Sequence, residues 1–150
     1  MSDQIDALKA ICDEVIADPS LEPSAGVTHC NEGARRVANA MGYFGFNDES
    51  LLADDMVAIM NAGGPWSKVD GETAAAHAQV GGLAFAAMSS YQLGEAHGHI
   101  AAVYPAPMQF SGSFNKKVPM VANVGKQDAE EKVSAAFPVA LGEPDYFVLS

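Results

Sequence analysis

Gly98-His99-Ile100-Ala101-Ala102-Val103-Tyr104 sets a glycine and a histidine at the head of an apolar run that Pro105 closes. So short a run, bounded by turn residues, predicts a buried β-strand over 100–104. The same texture recurs at 83–88, 118–124 and 146–149, while upstream the apolar residues recur with helical spacing instead. A first helix is predicted over 3–18, with Ser2 or Asp3 as N-cap and Ile5, Leu8, Ile11, Cys12, Val15 and Ile16 on its inner face, ended by Pro19 and Pro23. A second begins at Thr28 or His29 and stops at Gly42, a third spans 50–61, and an alanine-rich fourth, capped by Asp70, spans 71–80. A helix over 129–137, capped by Asp128, falls between the last two strands, and 105–117 reads as a long loop. Helices first and strands afterwards indicate one α+β domain over residues 1–150, with N-terminal helices on a small antiparallel sheet.

At 150 residues such a domain buries roughly 68–70% of its unfolded surface without needing staples. A net charge of −11, with only eight Lys and Arg, argues against nucleic acid and anionic lipid as partners. No run approaches the ~18 apolar residues of a membrane span. Met1-Ser2-Asp3-Gln4-Ile5-Asp6 carries acids where a secretory signal has basic residues, so synthesis in the cytoplasm without Sec export is expected.

The two cysteines differ in setting. Cys12 belongs to the inner stripe of the first helix and reads as a small core residue. Cys30 falls in the first turn of the second helix, on a stripe with Ala34, Val37, Ala38 and Met41, while Arg35, Arg36 and Asn39 point elsewhere. A thiol at a helix N-terminus beside a histidine has its pKa lowered from about 8.5 into a range of roughly 3.5–7.5, and the free N–H groups of that turn serve as oxyanion donors. His99 is the expected base, since the glycine before it leaves room for a ligand and its strand runs on into the core. His97 shares that face only if the strand starts earlier; His77 reads as a surface residue, and His29 abuts the thiol. A third group must hold the imidazole in the tautomer that accepts the thiol proton. Val121, Asn123 and Gly125 share a strand face, which makes Asn123 the expected orienter, with Gln127 or Asp128 as substitutes.

This order of elements resembles the NlpC/P60 and CHAP group of papain-like cysteine amidases, and is most similar to the small type VI secretion amidase effectors that cut peptidoglycan stem peptides. The resemblance rests on His29-Cys30-Asn31 opening a helix that ends Ala38-Asn39-Ala40-Met41-Gly42, on 66–80 leading into Gly81-Gly82-Leu83-Ala84-Phe85-Ala86-Ala87, on Gly98 to Val103, and on Pro119-Met120-Val121. Where many members have Asp before the cysteine and Ser-Gly after it, this chain has His29 and Asn31-Glu32, and no tyrosine precedes Tyr43. The resemblance implies a papain-like fold and a thiol hydrolase, needing no cofactor or metal, that cleaves an amide of bacterial peptidoglycan. Cys30, His99 and Asn123 would be catalytic, with His29 and Asn31 beside the oxyanion. Tyr43, Trp66 and the 105–117 loop are candidates for a substrate groove, and Trp66 reads equally as a core plug under the third helix. Action in the periplasm or cell wall would follow delivery by a secretion apparatus, a phage or lysis, with an immunity protein as partner in the first case. Two other readings compete: a zinc site built from His29, Cys30, His97 and His99, and a non-catalytic cell-wall-binding module on the same fold.

Overall fold

The computed structural model describes residues 2–24 and 27–150. Helix α1 (Ser2–Ala17) buries Leu8, Cys12 and Val15, as its spacing predicts. Ser2 and Asp3 both lie inside it, so neither is the cap, and the residue before them lies outside the described residues. A 3-10 turn (Pro19–Leu21) leads toward α2 (Cys30–Ala40), for which His29 occupies the N-cap position. Helix α3 (Ala53–Asn61) starts later than expected, because Asp48 draws Ser50 into a turn and Asp55 reaches back to the Leu52 N–H. Helix α4 (Gly71–Gln79) is capped by Asp70, whose carboxylate accepts from Thr73 N at 2.8 Å.

Strand β1 (Trp66–Val69) precedes α4, so the strict helices-then-strands order fails. Only four residues long and walled in by Gly63-Gly64-Pro65 and Asp70, it is too brief to show alternation, and its pairing with a distant partner makes it a strand. The others are β2 (Ala84–Met88), β3 (His99–Val103), β6 (Met120–Asn123), β7 (Ala129–Lys132) and β8 (Asp145–Leu149), with a separate hairpin of β4 (Gln109–Ser111) and β5 (Lys116–Val118). The main sheet is antiparallel in the order β1-β8-β2-β3-β6-β7. Residues of β2 are buried throughout, so both faces of the sheet's centre are covered. Among the described residues no helix is long and apolar enough to cross a membrane.

Three further expectations are corrected. The predicted helix over 129–137 is strand β7 followed by a single turn, α6 (Val133–Ala136), because pairing with β6 overrides the helical preference of Ala129-Glu130-Glu131-Lys132. The 105–117 loop contains β4 and the start of β5. The single strand over 118–124 breaks at Pro119, which has no N–H to give, so Val118 pairs with Gln109 while Met120 pairs with Lys132.

Register places the polar groups. Ala102 of β3 faces Ala122 of β6, so His99 and Asn123 emerge on the same face, one diagonal step apart, and Gly125 lies opposite His99 just past the end of β6. On β7, Glu131 pairs with Val121 and therefore joins that face, while Glu130 turns to solvent. Arg35 was expected to point outward, yet it is only 5% exposed: its guanidinium donates to the carbonyls of Phe46 (3.1 Å) and Glu49 (3.2 Å) and pairs with Glu32 (2.8 Å). It ties the loop between α2 and α3 to the helix that carries Cys30.

Candidate active site

Cys30 is the first residue of α2 and only 6% exposed. Backbone N–H groups of Ile100, Asn31 and Cys30 itself point at its sulfur and favour the thiolate, yet burial outweighs them and pushes the thiol up from its ordinary value. This reverses the expectation of a thiol acidified by its helix end. The dipole is present, but desolvation acts on the same atom with the larger effect.

His99 opens β3, its ring 4.9 Å from that of Phe137. Burial draws its pKa down, opposed by the Asn123 hydrogen bond and the charge of Glu95. His99 Nε2 lies 2.6 Å from Asn123 Oδ1, and Asn123 Nδ2 donates to the Gln127 carbonyl (3.2 Å) and to Glu131 Oε2 (2.7 Å). Both partners of Nδ2 only accept, which fixes the amide's orientation. Its Oδ1 can then only accept from His99, so Nε2 carries the proton and the Nδ1 lone pair is free in the neutral ring. A Cβ at Gly125 would stand 3.0 Å from His99 Cε1, so the lack of a side chain there keeps the edge between the two nitrogens open.

Two adjoining clefts, of about 600 Å³ and about 490 Å³, share Thr28, Ala96, His97 and Gly98 as common wall. Cys30 lies in the larger with His29, Asn31, Asp54 and Asp55; His99, Asn123 and Glu131 line the smaller. Among the described residues no hydrogen bond joins the Cys30 thiol to the His99 ring. Catalytic hydrogen bonds are often long in ligand-free sites and tighten when substrate binds.

The remaining expected residues divide. His29 sits beside the thiol without capping the helix through its side chain. Asn31 anchors its side chain on the Leu51 carbonyl (3.1 Å) and offers the site only its backbone N–H. Tyr43 and Trp66 line neither cleft: Trp66 is stacked on Phe46 at 5.8 Å, with Tyr43 edge-on at 5.1 Å and Phe85 beyond, which is the core-plug alternative. The 105–117 segment also lines neither cleft. His97 is exposed on the shared wall, and His77 is no free surface residue, its Nε2 lying 2.9 Å from the Leu149 carbonyl. Room beside Gly98 is not for a ligand, since a Cβ there would meet Asp54 Oδ1 at 2.5 Å and the Met88 carbonyl at 2.9 Å. Asp54 is instead the acceptor for Ser90 N and Ser90 Oγ at the start of α5 (Ser90–Leu93). Gln127 supplies its carbonyl to Asn123, and Asp128 accepts from Gly125 N at 3.1 Å, so both brace the turn and neither replaces Asn123. Among the described residues no group of three His, Cys, Asp or Glu side chains is arranged to hold a metal ion, so His29, Cys30, His97 and His99 form no zinc site. Glu131 and Asp54 escaped the sequence reading.

Fold and site together define an α+β domain with a buried thiol at a helix start and a His–Asn–Glu row on three adjacent strands, opening on two linked clefts. Comparison with known protein families and with curated proteins finds no match to this chain.

Proposed function

We propose that the protein is a cysteine amidase with a papain-like fold of the NlpC/P60 type, hydrolysing an amide bond in the stem peptides of bacterial peptidoglycan. The observation that carries the catalytic part is the locked Asn123 amide, which leaves Nδ1 of a half-buried histidine as a free base, in a cleft that shares a wall with the one holding the Cys30 thiol. The substrate, its location in the periplasm or cell wall, delivery without Sec export and an inhibitory immunity partner rest on the resemblance of the Cys30 helix and the Gly98-His99 strand to the effector amidases.

In this mechanism His99 Nδ1 takes the proton from Cys30 as Sγ attacks the amide carbonyl carbon. The oxyanion is held by N–H groups at the start of α2. Collapse of the tetrahedral intermediate breaks the C–N bond, and the imidazolium passes its proton to the leaving amine. A water deprotonated by the same nitrogen then hydrolyses the thioester, returning the proton to sulfur. Burial raises the thiol and lowers the imidazole, so the resting pair is neutral and the proton moves only as the attack proceeds.

The test is incubation of wild type, Cys30→Ala and His99→Ala with purified sacculi of both major cross-link chemistries, with mass spectrometry of the soluble fragments. Fragments with new carboxyl and amino termini from the wild type alone support the reading. Release by Cys30→Ala overturns the thiol as nucleophile, and no release from either wall overturns the amidase reading and leaves a binding module as the account of the clefts.

A further inference from the structure

His99, Asn123 and Glu131 stand in a diagonal row across β3, β6 and β7, on one face of the sheet. Asn123, only 4% exposed, has its amide turned by two acceptors, the Gln127 carbonyl at 3.2 Å and Glu131 Oε2 at 2.7 Å. The shorter contact is to the charged group, and hydrogen bonds to a carboxylate are roughly twice as strong as neutral ones. Glu131 is half-buried on the wall of the smaller cleft, beside an exposed Glu130 whose side chain goes the other way. Burial raises its carboxyl pKa, and the Asn123 bond opposes that rise. A carboxylate partly withdrawn from water and spent on one amide N–H has a directional use.

We propose that Glu131 is a positioning residue, acting on His99 through Asn123 and so selecting which imidazole nitrogen is left to accept the thiol proton; the catalytic consequence rests on the cysteine-amidase reading above. Without Glu131 the Asn123 amide is held by a backbone carbonyl alone. A half-turn about its terminal bond would present Nδ2 to the ring, favour the Nδ1–H tautomer and remove the base. Glu95 is the carboxylate whose charge acts on His99, but it comes from the loop before β3 and does not touch the amide. The role is therefore one of orientation, which an uncharged acceptor of the same length should largely replace.

The experiment is long-range 1H–15N correlation of the His99 ring in wild type, Glu131→Gln and Glu131→Met, with sacculus hydrolysis measured on the same preparations. Glu131→Val, a better strand former, is the second apolar variant in case the methionine does not fold. The wild type and Glu131→Gln are expected to show the Nε2–H tautomer almost alone. In the apolar variants the Nδ1–H form should rise severalfold, and hydrolysis should fall at least tenfold, against less than threefold in Glu131→Gln. A folded apolar variant that keeps the wild-type tautomer overturns the positioning role even if sacculi are cleaved. If the tautomer moves as expected while the wild type cleaves no sacculus, the positioning role stands and the peptidoglycan reading fails.

Discussion

Asn123→Asp is the substitution for which the usual expectation and this structure disagree most. Aspartate is the common partner of a catalytic histidine, and at 123 it would still accept from Nε2. Its second oxygen, however, takes the place of Nδ2, 2.7 Å from Glu131 Oε2 and 3.2 Å from the Gln127 carbonyl. Two unit charges that close repel by roughly 6 kcal/mol at an effective dielectric of about 20. The pair escapes by keeping a proton, which at pH 7 on a carboxyl of ordinary pKa about 4.3 costs roughly 3.7 kcal/mol. That smaller figure caps the penalty, and the O–H···O bond so gained returns part of it, leaving a loss of about 2–3 kcal/mol at pH 7. The pair's pKa is raised in the folded state, so the protein is relatively stable in acid and loses stability as pH rises toward 7. Urea unfolding of wild type, Asn123→Asp and Asn123→Asp/Glu131→Gln at pH 4.5 and 7 reads this directly. The single variant should fall well below wild type at pH 7 and approach it at pH 4.5. Adding Glu131→Gln, whose amide can donate to Asp, should recover about 2 kcal/mol or more at pH 7, the coupling expected of side chains in direct contact. A single variant as stable as wild type at pH 7, or a double variant no better than the single, refutes the amide orientation and with it the assignment of Nδ1 as the base.

Cys12 is fully buried and its pKa is pushed up to about 12 by desolvation. The folded state therefore keeps a proton that the unfolded chain loses above about 9.0, and stability should decline by up to about 1.4 kcal/mol per pH unit from there upward; a Cys12→Ala variant followed through urea midpoints should show a shallower decline. With iodoacetamide Cys30, which lines a cleft, should be labelled and Cys12 spared, slowly at pH 6 and faster with each unit of pH; rapid labelling at pH 6 would contradict a thiol raised by burial. Gly125→Ala places a methyl 3.0 Å from His99 Cε1, so sacculus hydrolysis should fall about tenfold or more while the melting temperature changes little; unchanged turnover would show that the ring has slack.

What could be read in the chain was whatever depends on near neighbours. Cys30 at a helix start follows from the apolar stripe of α2, and the shared face of His99 and Asn123 follows from strand alternation once β3 and β6 pair. Glu131 was out of reach because Ala129-Glu130-Glu131-Lys132 favours a helix when taken alone, and only pairing with β6 turns Glu131 toward Asn123. The same competition hid β1, whose four residues become a strand through β8, the last element of the chain. Arg35 was misplaced because a charged residue is normally sent to water, whereas here loop carbonyls supply the acceptors that let it be buried. Tyr43 and Trp66 were ambiguous for a related reason: an aromatic side chain fits a groove or a core, and packing on Phe46 decides between them.

The direction of the thiol shift was missed because a helix end is visible in sequence and burial is not. In the amidase mechanism proposed above, their combination would set how the site works. Moving the proton from Cys30 to His99 creates two charges in a poorly hydrated place, which would be prohibitive if neither were anticipated. The sulfur meets N–H groups from α2 and β3, and the imidazolium meets the Asn123 oxygen, which is itself turned toward the ring by Glu131. The dipoles already point where charge will appear, so little reorganisation accompanies the transfer. Burial keeps the thiol protonated at rest and less open to adventitious alkylation or oxidation, since the thiolate is the reactive form. In that mechanism a substrate carbonyl seated against the start of α2 would supply what the resting state lacks, an acceptor for the sulfur's electron pair at the moment the proton leaves.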